Sequence, residues 1–144
     1  MAPKRVSFQK AAPAGTTQFD SLIGKLVVVV DDDTLVLDST GGLLRSWGCR
    51  VITAQSDQEA VTQLDGRPDL IISDYRLKNG RTGMDAIAQL REALGADIPA
   101  FLISGDMLPD GLQDAQKHGY QLLHKPLAPM ALRAVMSRLL QSGP

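Results

Sequence analysis

Short apolar runs alternate along this chain with longer stretches in which apolar residues recur every three or four positions. Residues 26–30 read LVVVV, a run typical of a strand buried on both faces. Residues 35–47 place their apolar side chains mostly at helical spacings. The first pattern predicts strands at 26–30, 51–54, 70–73, 100–103 and 120–123. The second predicts helices at 35–47, 84–94, 108–118 and 129–140. A further helix is predicted to begin at the capping box of Ser56 and Glu59 and to run through Leu64. Five strands that alternate with five helices predict a doubly wound α/β fold with a parallel sheet.

The first 21 residues differ from the rest of the chain. They contain prolines, a glycine and paired threonines, and show no strand or helix period. We expect residues 1–21 to be a flexible N-terminal arm or linker, with a basic interaction tail as the alternative, and residues 22–144 to form one domain.

Composition narrows the classes of function. A chain of 144 residues with 44% hydrophobic residues can bury a core of its own. The net charge of −1 favours neither nucleic acid nor a membrane surface as a partner. Cys49 is the only cysteine, and no apolar stretch reaches the ~20 residues that cross a bilayer. A cytoplasmic location is therefore expected.

Two adjacent glycines interrupt the first predicted helix. Gly41 and Gly42 each cost the helix about 1 kcal/mol relative to alanine. The sequence leaves two explanations open: close packing against a partner, or simple tolerance.

Polar residues follow the predicted strands at the points where they end. Asp31, Asp32 and Asp33 come after the first strand, Asp74 after the third and Ser104 after the fourth. Lys125 and Pro126 follow the fifth. The carboxyl ends of parallel strands form the ligand-binding edge of such a sheet, so these groups are expected to converge there.

The convergent groups suit a hard cation and a phosphoryl group. Neighbouring carboxylates repel one another unless a cation neutralises them, and Mg2+ prefers oxygen ligands. Asp31 and Asp32 are therefore candidate metal ligands, with helix capping as the alternative and as the expected role of Asp33. Asp74 is a candidate nucleophile that could take a phosphoryl group as an acyl phosphate. Ser104 and Lys125 could bind phosphoryl oxygens.

The segments LVVVVDDD, DLIISDYRL, FLISGD and LLHKPL together resemble the receiver domain of two-component response regulators. The resemblance spans residues 25–141. It implies a flavodoxin-like (βα)5 fold with strand order 2-1-3-4-5, and a phosphoryl group accepted from a phosphohistidine with Mg2+. By position, Asp74 would be the phosphoacceptor, Asp31 and Asp32 the acidic metal-binding pair, and the backbone carbonyl of Arg76 a further metal ligand. Ser104 would be the switch hydroxyl and Lys125 the phosphate-binding lysine.

The resemblance also implies partners. A histidine kinase or histidine phosphotransfer protein would dock near the first helix and the loop after the fifth strand, and a homodimer through helices 4 and 5 is possible. As an isolated domain the chain would not be an enzyme, although it would catalyse its own phosphorylation and dephosphorylation.

Two departures from the family pattern are informative. Leu122 occupies the position, three residues before Lys125, where the family usually has an aromatic switch residue, and Tyr120 lies two residues earlier. The loop after Asp74 has Lys78 in place of a common proline and is one residue longer than the commonest form. The loop and the last helix look most like receivers of hybrid sensor histidine kinases. With no output domain after the receiver, a hybrid kinase or a stand-alone regulator is expected rather than a transcription factor fragment.

Two rival interpretations remain at this stage. A haloacid-dehalogenase-like phosphatase would use Asp31 as its nucleophile, but its motif requires Thr or Val where this chain has Leu35. The second rival is a docking module of receiver fold that works without phosphorylation.

Overall fold

The computed structural model describes residues 22–105 and 109–141. The strands are β1 (Leu26–Val30), β2 (Arg50–Ala54), β3 (Leu70–Asp74), β4 (Ala100–Ser104) and β5 (Leu122–His124). The helices are α1 (Thr34–Ser46), α2 (Asp57–Gln63), α3 (Gly83–Leu94), α4 (Pro109–Lys117) and α5 (Pro129–Gln141), with a short 3-10 turn at Lys78–Gly80. The predicted N-terminal arm, 1–21, lies outside the described residues.

The five strands form one sheet in the order β2-β1-β3-β4-β5, and every neighbouring pair is parallel. This confirms the predicted doubly wound, flavodoxin-like fold. Because all five strands are parallel, the four strand ends that carry the predicted site residues lie at one edge of the sheet.

The central strands are buried on both faces, and their side chains alternate between two cores. Val27 and Val29 of β1 pack with α1 and α5, whereas Val28 and Val30 pack with α2, α3 and α4. Trp47, at the C-terminal end of α1, packs against the α1–α5 core beneath the guanidinium of Arg133, 6.0 Å from the ring centre. The continuous apolar run of β1 is thus explained by burial on two sides.

Most predicted boundaries differ from the structure by one residue, but β5 begins two residues later than predicted. The amide of Tyr120 donates to the carbonyl of Ala115 at 2.9 Å, and Gly119 has a φ of 82°. These are the marks of a helix C-terminal cap. Tyr120 therefore belongs to the C-terminal cap of α4 and not to β5. The high β-propensity of tyrosine explains why the sequence pattern predicts the strand from residue 120.

The glycine pair of α1 has two different environments. Gly41 is buried, and a Cβ there would lie 3.2 Å from Cγ2 of Thr53 on β2. Gly42 is exposed, and a Cβ there would meet nothing within 4 Å. Close packing within the domain thus explains Gly41, and nothing in the structure explains Gly42.

Candidate functional site

Three carboxylates meet at the carboxyl edge of the sheet. Asp31 directly follows β1 and is fully buried, Asp32 is half-buried, and Asp74 is the last residue of β3 and is buried. One carboxylate oxygen from each lies within 4.8 Å of the others. The neighbouring strand ends therefore bring together the acidic residues that the sequence separates by more than 40 positions.

The third aspartate after β1 has a separate role. Asp33 is the N-cap of α1, and its Oδ1 accepts a hydrogen bond from the amide of Leu35 at 3.0 Å. Its own amide donates to Oδ1 of Asp31 at 2.9 Å. Capping therefore uses Asp33, as expected, while its backbone helps to orient Asp31.

Lys125 places its ammonium group between two of the carboxylates. Its Nζ lies 2.9 Å from Oδ2 of Asp31 and 3.3 Å from Oδ2 of Asp74. Its amide donates to the carbonyl of Ser104 at 2.8 Å, which holds the start of the following loop against β4. The bond between Lys125 and Pro126 is cis.

Burial and repulsion perturb the protonation of this cluster. Desolvation, followed by the charge of Asp31, raises the pKa of Asp74 from 3.8 to about 6, although Lys125 opposes the rise. Burial lowers the pKa of Lys125, but its hydrogen bond to Asp31 and the charges of both aspartates outweigh burial and raise it. The cluster carries three carboxylates against one ammonium, so it retains a deficit of positive charge.

The donor set fits a hard divalent cation. Three carboxylates within reach of one another supply oxygen ligands. Burial and the charge of Asp31 keep the pKa of Asp74 above its ordinary value in spite of Lys125, so a further positive charge at the cluster would be favourable. Asp31, Asp32 and Asp74 are the residues that would hold Mg2+.

The remaining predicted site residues lie at the same edge. Ser104 is the last residue of β4 and is buried, and its register partner on β5 is His124, next to Lys125. Arg76 lies two residues after Asp74 in the loop before α3, and its guanidinium stands 5.6 Å from the ring centre of Tyr75.

Gly83 is a site-supporting residue that sequence reasoning missed. A Cβ there would lie 2.3 Å from the carbonyl oxygen of Asp74 and 2.6 Å from Cδ2 of Leu102. The first turn of α3 therefore packs directly onto the end of β3 because residue 83 has no side chain. The signal was available: Thr82 and Asp85 form a reciprocal capping box around this glycine.

The aromatic residues near the site connect other elements. The hydroxyl of Tyr75 donates to Oδ2 of Asp114 on α4 at 2.7 Å. Tyr120 accepts a hydrogen bond at 3.3 Å from Arg91 and lies beneath its guanidinium. Leu122, at the position of the usual aromatic switch, is partly buried against the core that α2, α3 and α4 cover.

An apolar cleft lies next to the cluster. It has a volume of about 540 Å3 and runs between α1 and the loop after β5. The lining residues are Val36, Ser39, Thr40, Leu43, Gly105, Lys125, Pro126 and Leu127. Two large apolar side chains, Leu35 at the start of α1 and Met130 at the start of α5, are 76% and 72% exposed.

None of the described helices has the length and apolar character needed to cross a membrane.

Comparison with known proteins gives a consistent result. Residues 27–137 match the family model described as the response regulator receiver domain. Among curated proteins, the transcriptional regulatory protein ZraR of Escherichia coli O157:H7 is 34% identical over 118 residues, which cover 79% of this chain and 26% of ZraR. The phosphate regulon transcriptional regulatory protein PhoB of Pseudomonas aeruginosa is 28% identical over 127 residues, covering 85% of this chain and 55% of PhoB. The chain thus spans about half or less of these relatives.

Solved structures share the fold. A CheY-like receiver domain protein from Methanospirillum hungatei superposes with a TM-score of 0.69 at 22% identity, covering 82% of this chain and 94% of that one. The chemotaxis response regulator CheY4 of Vibrio cholerae superposes with a TM-score of 0.67 at 25% identity, covering 81% and 98%.

Proposed function

Because this chain belongs to the response regulator receiver domain family, we propose that it accepts a phosphoryl group from a phosphohistidine onto Asp74 in a Mg2+-dependent phosphorelay. The observation that carries the proposal is the cluster of Asp31, Asp32, Asp74 and Lys125 at one sheet edge.

Asp74 is a better nucleophile than Asp31 in this geometry. Both oxygens of Asp31 are occupied, one by the amide of Asp33 and the other by Lys125, and the residue is fully buried. Asp74 is engaged by Lys125 at the longer distance of 3.3 Å. This favours the receiver over the rival phosphatase, whose nucleophile would be Asp31.

The reaction is a single displacement. A carboxylate oxygen of Asp74 forms a bond to phosphorus, the phosphorus–nitrogen bond of the phosphohistidine breaks, and its electron pair stays on the imidazole. Bound at Asp31, Asp32, Asp74 and the Arg76 carbonyl, Mg2+ would supply positive charge that offsets repulsion between the carboxylate and the phosphoryl oxygens. Lys125 provides a second positive charge to those oxygens, and the hydroxyl of Ser104 can donate to one of them.

The apolar cleft supports docking of a phosphodonor protein. It is lined in part by Lys125. Leu35 and Met130, which are exposed, lie within three residues along the chain of the lining residues Val36 and Leu127. Exposed apolar patches of this kind mark protein-binding sites. We propose that a histidine kinase or histidine phosphotransfer protein covers the cleft and brings its phosphohistidine to Asp74.

The surroundings of the domain belong to the same proposal. Residues 1–21 would be a linker, and the parent protein a hybrid histidine kinase, which the loop after Asp74 and the last helix resemble. The domain would form a homodimer through α4 and α5. Docking without phosphorylation is the second candidate function, and the observation that favours it is Leu122 in place of an aromatic switch residue.

The test is intact mass spectrometry after incubation with acetyl phosphate and MgCl2. Wild-type protein should gain one phosphoryl group, about 80 Da, because an aspartate nucleophile forms an acyl phosphate. Hydroxylamine should remove the group. Asp74→Asn should not be labelled, whereas Asp38→Asn, the same change at an exposed position on α1, should be labelled like wild type.

Equal labelling of wild type and Asp74→Asn would contradict the assignment of the acceptor. Phosphate release that requires Asp31 but not Asp74 would favour the phosphatase. A chain that accepts no label from acetyl phosphate or from a phosphorylated histidine phosphotransfer protein would favour the docking module.

A further inference from the structure

The loop that follows Asp74 folds back on itself before α3 begins. Arg76 and Thr82 form an isolated antiparallel bridge. Inside it, the amide of Leu77 donates to the carbonyl of Arg81 at 2.9 Å. The backbone position of Arg81 is thus tied to that of the residues directly after Asp74.

The side chain of Arg81 connects this loop to another element. Its Nη1 donates to Oδ1 of Asp57, the first residue of α2. The side chain of Asp57 is only 7% exposed, against 34% for Arg81. A cleft of about 380 Å3 separates the loop from the start of α2, so the ion pair spans a gap between the two segments. A carboxylate buried to this degree depends on its cation.

We propose that the Asp57–Arg81 ion pair sets the direction of the Arg76 carbonyl and thereby the affinity of the site for Mg2+. The inference rests on the proposed function, in which that carbonyl is a metal ligand. The carbonyl of Arg76 and the amide of Leu77 belong to one planar peptide unit and point to opposite sides of it. Fixing the amide on the Arg81 carbonyl therefore fixes the carbonyl of Arg76 as well.

Asp57 and Arg81 are positioning residues on this view, since they act through one hydrogen bond and do not touch the metal. Mg2+ tolerates little departure from octahedral geometry. Without the ion pair the peptide unit can tilt, and the carbonyl loses its alignment. Outer partners of metal ligands contribute about 10- to 100-fold in affinity, and a partner acting through backbone belongs at the lower end.

The experiment is a MgCl2 titration of the whole 144-residue chain without a phosphodonor, followed through the amide NMR shift of Leu77. Arg81→Gln and Asp57→Asn should each raise the Kd for Mg2+ about tenfold. Lys78→Gln removes a cation from the same loop, and Glu59→Gln removes an anion from the first turn of the same helix. Both control variants should bind Mg2+ like wild type.

The double variant decides whether the two residues act as a unit. Asp57→Asn with Arg81→Gln should bind no more weakly than the weaker single variant, because the connection is already lost. Arg81→Lys keeps the positive charge and should therefore bind Mg2+ with most of the wild-type affinity. It also provides a test of the ion pair if Arg81→Gln does not fold. Thermal unfolding without Mg2+ distinguishes a variant that does not fold from one that folds but binds Mg2+ weakly.

Wild-type affinity in both single variants would overturn the inference, as would losses that multiply in the double variant. If Arg81→Gln and Asp57→Asn bind Mg2+ with wild-type affinity while wild type still accepts a phosphoryl group, the inference fails and the proposed function stands. If wild type itself binds no Mg2+, both fail.

Discussion

At the residue scale, the missing side chain of Gly83 is what allows α3 to begin against the end of β3. The nearest atom to a Cβ there is the carbonyl oxygen of Asp74, which belongs to backbone and cannot rotate away. The amide of Gly83 also donates a hydrogen bond to the carbonyl of Tyr75 at 2.7 Å. Residue 83 therefore constrains the backbone of Asp74, the proposed phosphoacceptor, and of the residue that follows it.

Gly83→Ala should destabilise the protein by about 2 kcal/mol, since overpacking of a tight contact costs roughly 1–3 kcal/mol. It should also slow acceptance of the phosphoryl group, because relief of the contact moves the backbone of Asp74. Urea denaturation measures the first effect and mass spectrometry the second. Gly66→Ala is the matched control, because a Cβ there meets nothing within 4 Å. Equal stability of the two variants would contradict the prediction.

The positions of the site residues were largely predictable from the sequence. Asp74 ends β3, Asp31 and Lys125 directly follow β1 and β5, and parallel topology brings these strand ends to one edge. The contact of Tyr75 with Asp114 and that of Arg81 with Asp57 were not predictable. Each joins two elements whose approach depends on packing across the fold, which no local pattern encodes.

At the element scale, α1 contains one glycine that packing requires and one that it does not. Gly41 lets the helix approach β2, where a Cβ would press on Thr53. Gly42 lies on the exposed side of the same turn. The sequence shows two equivalent conflicts with helix propensity, and only the register between α1 and β2 distinguishes them.

Gly42→Ala should raise the free energy of unfolding by about 1 kcal/mol, the difference in helix propensity between the two residues. Gly41→Ala should gain less or lose stability, because the same propensity gain is opposed by the contact 3.2 Å away. Urea denaturation of both variants, with m-values compared, tests this. Equal gains in both would show that the contact with β2 is readily relaxed.

At the scale of the whole molecule, the buried carboxylate of Asp74 lowers the free energy of unfolding of the domain when it is ionised. The pKa of Asp74 is about 6 in the folded protein against an ordinary 3.8, so between these values the folded state binds more protons than the unfolded state. The free energy of unfolding therefore falls as the pH rises through this interval. Above it, the cost of the buried charge is fully present.

Asp74→Asn should remove this dependence. In the absence of Mg2+, the stability of wild type relative to the variant should fall by on the order of 2 kcal/mol between about pH 4 and pH 7. Thermal and urea unfolding across that range measure the difference. Asp38→Asn, the same change at an exposed position, is the matched control. Added MgCl2 should stabilise wild type more than Asp74→Asn at neutral pH, and equal stabilisation would contradict metal binding at this carboxylate.

The division of the domain into two cores has an optical consequence. The chain has one tryptophan and two tyrosines. Trp47 packs against the core of α1 and α5, whereas Tyr75 and Tyr120 both pack in the core on the opposite side of the sheet. Indole fluorescence therefore reports on one side of the sheet and tyrosine absorbance on the other. Unfolding of the two cores can be recorded separately in a single unlabelled sample, and coincident transitions are the signature of a domain that melts as one cooperative unit.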